Sequence, residues 1–142
     1  MSEENKAKFR RVIEECFNQG NLATAEELIA TDMVDHNPPP GIPQGLQGFK
    51  QMVTMFRSAF PDMHGQIEDV IAEGDKVVGR ITFHGTHQGD FMGLPATGKR
   101  VSINEIHILR IANGKAVEHW GVEDNLGMMQ QLGIVESPGQ GG

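Results

Sequence analysis

Arg100-Val101-Ser102-Ile103-Asn104-Glu105-Ile106-His107-Ile108-Leu109-Arg110-Ile111-Ala112-Asn113-Gly114-Lys115-Ala116-Val117-Glu118-His119-Trp120-Gly121-Val122-Glu123 is the stretch on which the fold turns. Two long apolar-rich runs flank Asn113-Gly114. Asn-Gly is a strong hairpin signal because both central residues of a tight turn need positive φ, which these two tolerate. The pair therefore predicts antiparallel strands over 100–112 and 115–123. Upstream, Lys76–Gln88 and Gln66–Ala72 also repeat with period two and are separated by Glu73-Gly74-Asp75. The four runs read as a meander of long strands. The connection 89–99 is rich in Gly and Pro and reads as a loop.

The period changes to that of a helix on the N-terminal side. Phe9, Val12, Ile13, Cys16 and Phe17 fall at i, i+3, i+4, i+7 and i+8, which predicts an amphipathic helix over about 4–18. Gly20 ends it, and Asn21 or Thr24 caps a second helix reaching about Ala30. Met33–Asn37 is a short extended piece, stopped by Pro38-Pro39-Pro40-Gly41. Phe49, Met52, Val53, Phe56 and Phe60 place a third helix over about 47–59, ended by Pro61. Downstream of the meander, Asp124-Asn125 caps a last helix running to Leu132, and 135–142 reads as a frayed tail. Helices gathered at one end and antiparallel strands at the other predict an α+β fold in one domain, 1–142, with its core over about 5–134. A long curved sheet wrapped on the N-terminal helices makes a cone with a pocket between the layers.

Composition bounds the function. The chain has 142 residues and a formal net charge of −7, with no long basic run. That argues against a nucleic-acid surface, which needs clustered cations, and against docking on anionic membrane. No apolar run is long enough to span a bilayer, and the acidic N-terminus does not read as a signal peptide, so a cytoplasmic location is expected. The single cysteine, Cys16, excludes an internal disulfide and any site built on paired thiolates.

Several residues are candidates for chemistry. Trp120, Val122 and Asp124 share one strand face by alternation. A carboxylate beside Trp on an apolar face has its charged form disfavoured, which suits a general acid or base near neutral pH. Asp124 is equally well placed as the cap of the last helix. Glu105 and His107 share a face of their strand, among isoleucines. Arg80, Thr82, His84 and Thr86 form a polar face on the middle strand, which either meets solvent or lines a polar pocket. Arg80 there would hold an anionic or carbonyl-bearing ligand. His36 and Asn37 precede the proline loop at what would be a pocket mouth, and Phe56 lies on the apolar face of the third helix. The six histidines show no zinc-like helical spacing, and there is no glycine-rich nucleotide loop and no GxSxG, so neither metal nor cofactor is expected.

The segment Gly85-Thr86-His87-Gln88-Gly89-Asp90-Phe91-Met92-Gly93-Leu94-Pro95-Ala96-Thr97-Gly98-Lys99 resembles the "GTHxGxFxGxPPTGK" segment of the SnoaL-like polyketide cyclases. Phe60-Pro61-Asp62, Arg110–Lys115, Glu118-His119-Trp120 with Asp124, and Gln131-Leu132-Gly133 are similar to that family too. The likeness covers about residues 5–134. Ala96 departs from it, standing where the family has a second proline, and Glu105 has no place in its pattern. The resemblance implies a nuclear transport factor 2-like cone (a cystatin-like α+β barrel) and a homo-oligomer, dimer or tetramer, formed through sheet faces. It also implies a cofactor-free intramolecular aldol condensation of a small hydrophobic, carbonyl-bearing polyketide ester. In it the position matching Asp124 acts as general acid/base, with His107 beside it. Trp120, His36, Asn37, Arg80, His84, Phe56 and Glu105 are then the expected substrate contacts. An isomerase or hydrolase of a small apolar carbonyl compound, and a non-catalytic ligand-binding or oligomerisation module, are the alternatives on the same fold.

Overall fold

The computed structural model describes residues 2–135. Its elements are α1 (Ser2–Arg11), α2 (Leu22–Leu28), β1 (Ile29–Asp35), α3 (Gly45–Ala59), β2 (His64–Glu73), β3 (Lys76–Thr86), β4 (Arg100–Ala112), β5 (Lys115–Glu123) and α4 (Asn125–Gln131). The helix expected over 4–18 starts at Ser2 and changes character midway, for Val12–Asn18 is π-helical. Its end is held by α3. The Arg57 guanidinium donates to the carbonyls of Phe17 and Asn18, each at 2.8 Å. Asn21 caps α2 by accepting from the Thr24 N–H at 3.2 Å. The expected tail at 135–142 lies, from residue 136 on, outside the described residues.

The sheet has five strands in the order β1-β5-β4-β3-β2. The meander β2–β5 is antiparallel throughout, and β1 adds to it parallel to β5. The second helix was expected to run to Ala30, but the chain is already extended at Ile29. The five-residue extended piece expected at 33–37 is thus a strand of the sheet, Ile29–Asp35. No turn residue separates α2 from β1, so composition does not mark the change.

Alternation then sorts the faces. Val77, Ile81 and Phe83 of β3, with Val101, Ile103, Leu109 and Ile111 of β4, point inward and are buried. α1, the π-helical turn and α3 pack on this face. The contact of α1 with β3 is close: a methyl at Gly79 would sit 2.1 Å from the tip of the Phe9 ring, so only glycine lets that ring approach the strand. Phe9 is buried, a contribution of roughly 1.5–3 kcal/mol for a side chain of its kind. Among the described residues no helix is long and apolar enough to cross a membrane.

The motif-rich loop after β3 is an architectural device. His87 is buried, its ring lies 5.5 Å from that of Phe60 and is tilted by 32° to it, and its Nδ1 accepts the Thr97 N–H at 3.3 Å. A Cβ at Gly89 would strike the Ser58 carbonyl at 2.4 Å. Asp62 accepts from both the N–H and the hydroxyl of Thr86. These contacts fasten the loop and the end of β3 to the C-terminus of α3.

Candidate active site

A cavity of about 90 Å³ lies between the helices and the inner face of the sheet. Its walls are Phe9 and Phe17 from the first helical segment, Phe49 and Phe56 from α3, and Phe83 from β3. Met33, Met52 and Met63 fill the gaps between them. Methionine is unbranched and soft, so this lining can adapt to a guest. All of the charged groups gather at one end, where Asp35, Glu105, His107, His119 and Glu123 meet with Asn37. Among the described residues no lysine or arginine lines the cavity.

Each of these side chains is aimed by its strand. Glu105 and His107 are two apart on β4 and share the inner face, and the His107 Nε2 lies 2.9 Å from Glu105 Oε1. β5 pairs with β4 so that Glu105 faces Glu123 and His107 faces Gly121. His119 is two residues before Gly121 on the same face, and its Nε2 is 2.9 Å from His107 Nδ1. In the parallel pair, Asp35 lies beside His119 and its Oδ1 accepts from His119 Nδ1 at 2.9 Å. The result is a chain of four side chains from three strands. Glu123 stands at the rim: the residue keeps solvent contact while its carboxylate turns toward Glu105 and His107.

The electrostatics follow from this crowding. Burial works against a charged His107, but the hydrogen bond and charge of Glu105 outweigh it, and Glu123 and Asp35 add to them. The imidazole is therefore held above its ordinary value. Glu123 is also raised, by burial first and then by repulsion from Glu105, with His107 opposing. Burial pushes Asp35 upward, yet the His119 hydrogen bond and charge and the Asn37 N–H bring it below the usual carboxylate range. Donor atoms of Glu105, His107 and Glu123 lie within 4.8 Å of one another, so the three groups act on each other directly.

The expected site residues divide sharply between two places. His107, Glu105, Asn37 and Phe56 line the cavity. Trp120, His36, Arg80 and His84 do not; they lie on the opposite, outer face of the sheet. There His36 stacks on Trp120 at 4.8 Å and bonds Glu118, and Arg80 pairs with Asp69 across β3 and β2. Asp124 is also outside the lining. It is the cap of α4, its Oδ1 accepting the Gly127 N–H at 2.8 Å. Alternation along β5 puts Trp120 and Val122 on the face that points away from the cavity, and the strand ends at Glu123, before Asp124. Asp35, His119 and Glu123 escaped the sequence reading. The alternation of β5 carried a signal for His119 and Glu123, whereas Asp35 required knowledge of the parallel pairing.

The comparisons with known proteins agree with this architecture. Residues 7–132 match the family model for SnoaL-like polyketide cyclases. The chain belongs to this family. It is 33% identical over 131 residues to the aklanonic acid methyl ester cyclase DnrD of Streptomyces peucetius, covering 87% of each chain. It is 33% identical over 122 residues to the nogalonic acid methyl ester cyclase of Streptomyces nogalater, covering 82% of this chain and 89% of that one. Among solved structures, TsrD of Streptomyces laurentii superposes with a TM-score of 0.82 at 30% identity, over 91% of this chain and 97% of that one. IdmH of Streptomyces antibioticus gives 0.79 at 36%, over 91% and 98%. In this SnoaL-like chain the curved sheet on N-terminal helices is thus the family's α+β fold.

Proposed function

We propose that this protein catalyses a cofactor-independent, ring-closing aldol condensation of a neutral, hydrophobic carbonyl compound. The observation that carries the reading is the carboxylate–imidazole–carboxylate group, Glu123, His107 and Glu105, at the polar end of an otherwise apolar cavity. An aldol closure removes a proton from carbon beside a carbonyl. The enolate carbon then bonds to a second carbonyl carbon, and the resulting alkoxide takes a proton. Glu123, raised toward neutrality, is the base for the first transfer. His107, held charged by Glu105 and with both N–H groups engaged by its neighbours, sets a positive charge beside the oxygen on which negative charge develops. The proton on Glu123 then returns to the alkoxide, so no atom is gained or lost. Apolar walls that exclude water strengthen each of these interactions.

The resemblance assigned the acid/base role to the position of Asp124. In the present reading Glu123, the preceding residue, takes that role, because its carboxylate faces His107 while that of Asp124 is occupied by the cap of α4. The relatives' names point to aromatic polyketide methyl esters as substrates.

The free volume favours a second reading for the substrate's size. Ligand pockets commonly span roughly 300–1,000 Å³, against about 90 Å³ here. A polyketide methyl ester enters only if the Met and Phe lining gives way, whereas a small apolar ketone or enone fits with less movement. An isomerase of such a compound would use the same first proton transfer. Incubation with aklanonic acid methyl ester and with a panel of small ketones separates the two. Conversion of the ester to a ring-closed isomer of equal mass supports the cyclase. Turnover restricted to the small ketones would replace it with the isomerase, and turnover of neither would leave a ligand-binding module.

We also infer a homo-oligomer through the outer face of the sheet. Ile71, Ile106 and Val122 are 64%, 44% and 67% exposed there. Val78, Ile108 and Trp120 continue the row across β3, β4 and β5.

A further inference from the structure

We propose that Asp35 and His119 are positioning residues that keep an extra proton on the paired imidazoles and present it at His107, facing the cavity. The argument is a proton count. Asp35 to His119, His119 to His107 and His107 to Glu105 are three contacts of 2.9 Å each, and each needs one hydrogen. Two neutral imidazoles bring two N–H groups between them. With both carboxylates ionised, the third hydrogen makes the pair an imidazolium. That third hydrogen has two places along the chain. His119 Nδ1–H is committed to Asp35, so His119 Nε2 is either an acceptor from His107 or, when charged, a donor to it. In the first arrangement the charged ring is His107, with its Nε2–H on Glu105 at the charged end of the cavity, and the hydrogen bond and charge of Glu105 favour it.

The pairing is built into the backbone. A Cβ at position 121 would lie 2.6 Å from His107 Nδ1 and 2.9 Å from His119 Nε2. Gly121 therefore leaves the gap through which the two rings meet, 5.2 Å apart and 26° from parallel. The Gly121 N–H donates to Asn37 Oδ1, and Gln44 clamps Asp35 by accepting from its N–H and donating to its carbonyl. Side chains of Asp35 and His119 are only 11% and 14% exposed. The titratable groups facing the pair are Asp35 from β1, Glu105 from β4 and Glu123 from β5. The helices that close the cavity contribute only apolar side chains to its lining. The net raised value of His107 agrees with this arrangement.

The inference rests on the proposed function only for its catalytic meaning, since the proton itself is observable without substrate. The test is side-chain ¹⁵N NMR of the histidines in the full chain, titrated across pH 5–9, for wild type, Asp35→Asn and His119→Gln. Wild type is expected to show an imidazolium on His107 at pH 7. Asp35→Asn keeps the shape but removes the charge, and is expected to lower the His107 midpoint by about one pH unit. The alkaline limb of any turnover should move by the same amount with KM unchanged. Gly121→Ala, which forces the rings apart, should reproduce the shift from a different atom. Two neutral imidazoles in the wild type at pH 7 would overturn the proposal. So would a His107 midpoint that ignores Asp35→Asn and His119→Gln in variants with native thermal transitions. A coupled titration without ring closure would remove the proposed reaction and leave the relay standing.

Discussion

At the residue scale the decisive comparison is between neighbours, Glu123 and Asp124. Asp124→Asn keeps a good cap, because asparagine and aspartate are comparable at that position. It should leave both stability and turnover near wild type. Asp124→Ala removes the cap and should cost about 1 kcal/mol, read as a lower midpoint in urea. Glu123→Gln should abolish most turnover while raising stability at neutral pH. The sign follows from its raised value: folding favours the protonated form, so the folded state is penalised as pH rises and the carboxylate ionises. His107 acts in the same direction. Its folded value is above the unfolded one, so its contribution is complete below about pH 6.5 and is lost as pH rises through the higher value. Asp35 acts oppositely, because its lowered value makes its contribution present above about pH 4 and lost on further acidification. Thermal midpoints should therefore be highest near about pH 4–5, decline as Glu123 ionises and then further as His107 loses its proton, and Glu123→Gln should remove the first part of that decline.

At the scale of elements, the contact of α1 with β3 is where sequence and packing are most tightly linked. Gly79→Ala forces the Phe9 ring off the strand, and overpacking of this kind typically costs about 1–3 kcal/mol. The same shift disturbs a cavity wall, so ligand affinity should fall together with the melting temperature. Cys16, on the same helical segment, is fully buried and its thiol is pushed up to about 12 by burial. It should resist alkylation at pH 8 until the chain unfolds. The elements themselves were largely legible. Asn113-Gly114 gave the β4–β5 hairpin at its observed ends, and the helical spacing of Phe9 to Phe17 marked the buried face. The extended piece at 33–37 was legible, but the start of β1 at Ile29, where it follows α2 without a breaker, and its parallel pairing with a strand some eighty residues on were not. A pairing of that range leaves no local period. Without that pairing, Asp35 could not be brought beside His119. The strand alternation was right, but alternation does not say which face meets the helices, and Trp120, His36, Arg80 and His84 fell on the outer one.

At the scale of the whole molecule, two surfaces of one sheet are put to different uses. The inner face carries the cavity and concentrates three carboxylates at one end with, among the described residues, no lysine or arginine in the lining. That charge disfavours an anionic guest, so the methyl ester of a ligand should bind more tightly than its free acid, by tenfold or more in a calorimetric comparison. The outer face exposes Ile71, Ile106 and Val122. Large exposed apolar surface of this kind usually marks an interface. Sedimentation of the full chain should give a dimer or larger, and Val122→Glu with Ile106→Lys should return it to monomer while the cavity stays intact. The family's fold was readable from its loop motif, yet that motif turns out to fasten the β3–β4 loop onto α3 and contributes nothing to the cavity's charged end.

The most direct test of the central claim is solvent deuterium exchange at the carbon beside the carbonyl of a bound hydrophobic β-keto methyl ester, followed by NMR. Wild type and Asp124→Asn should exchange that proton at similar rates, and Glu123→Gln should be slower by at least a hundredfold. Exchange that survives Glu123→Gln and disappears in Asp124→Asn would contradict the account and return the proton to the residue that caps α4.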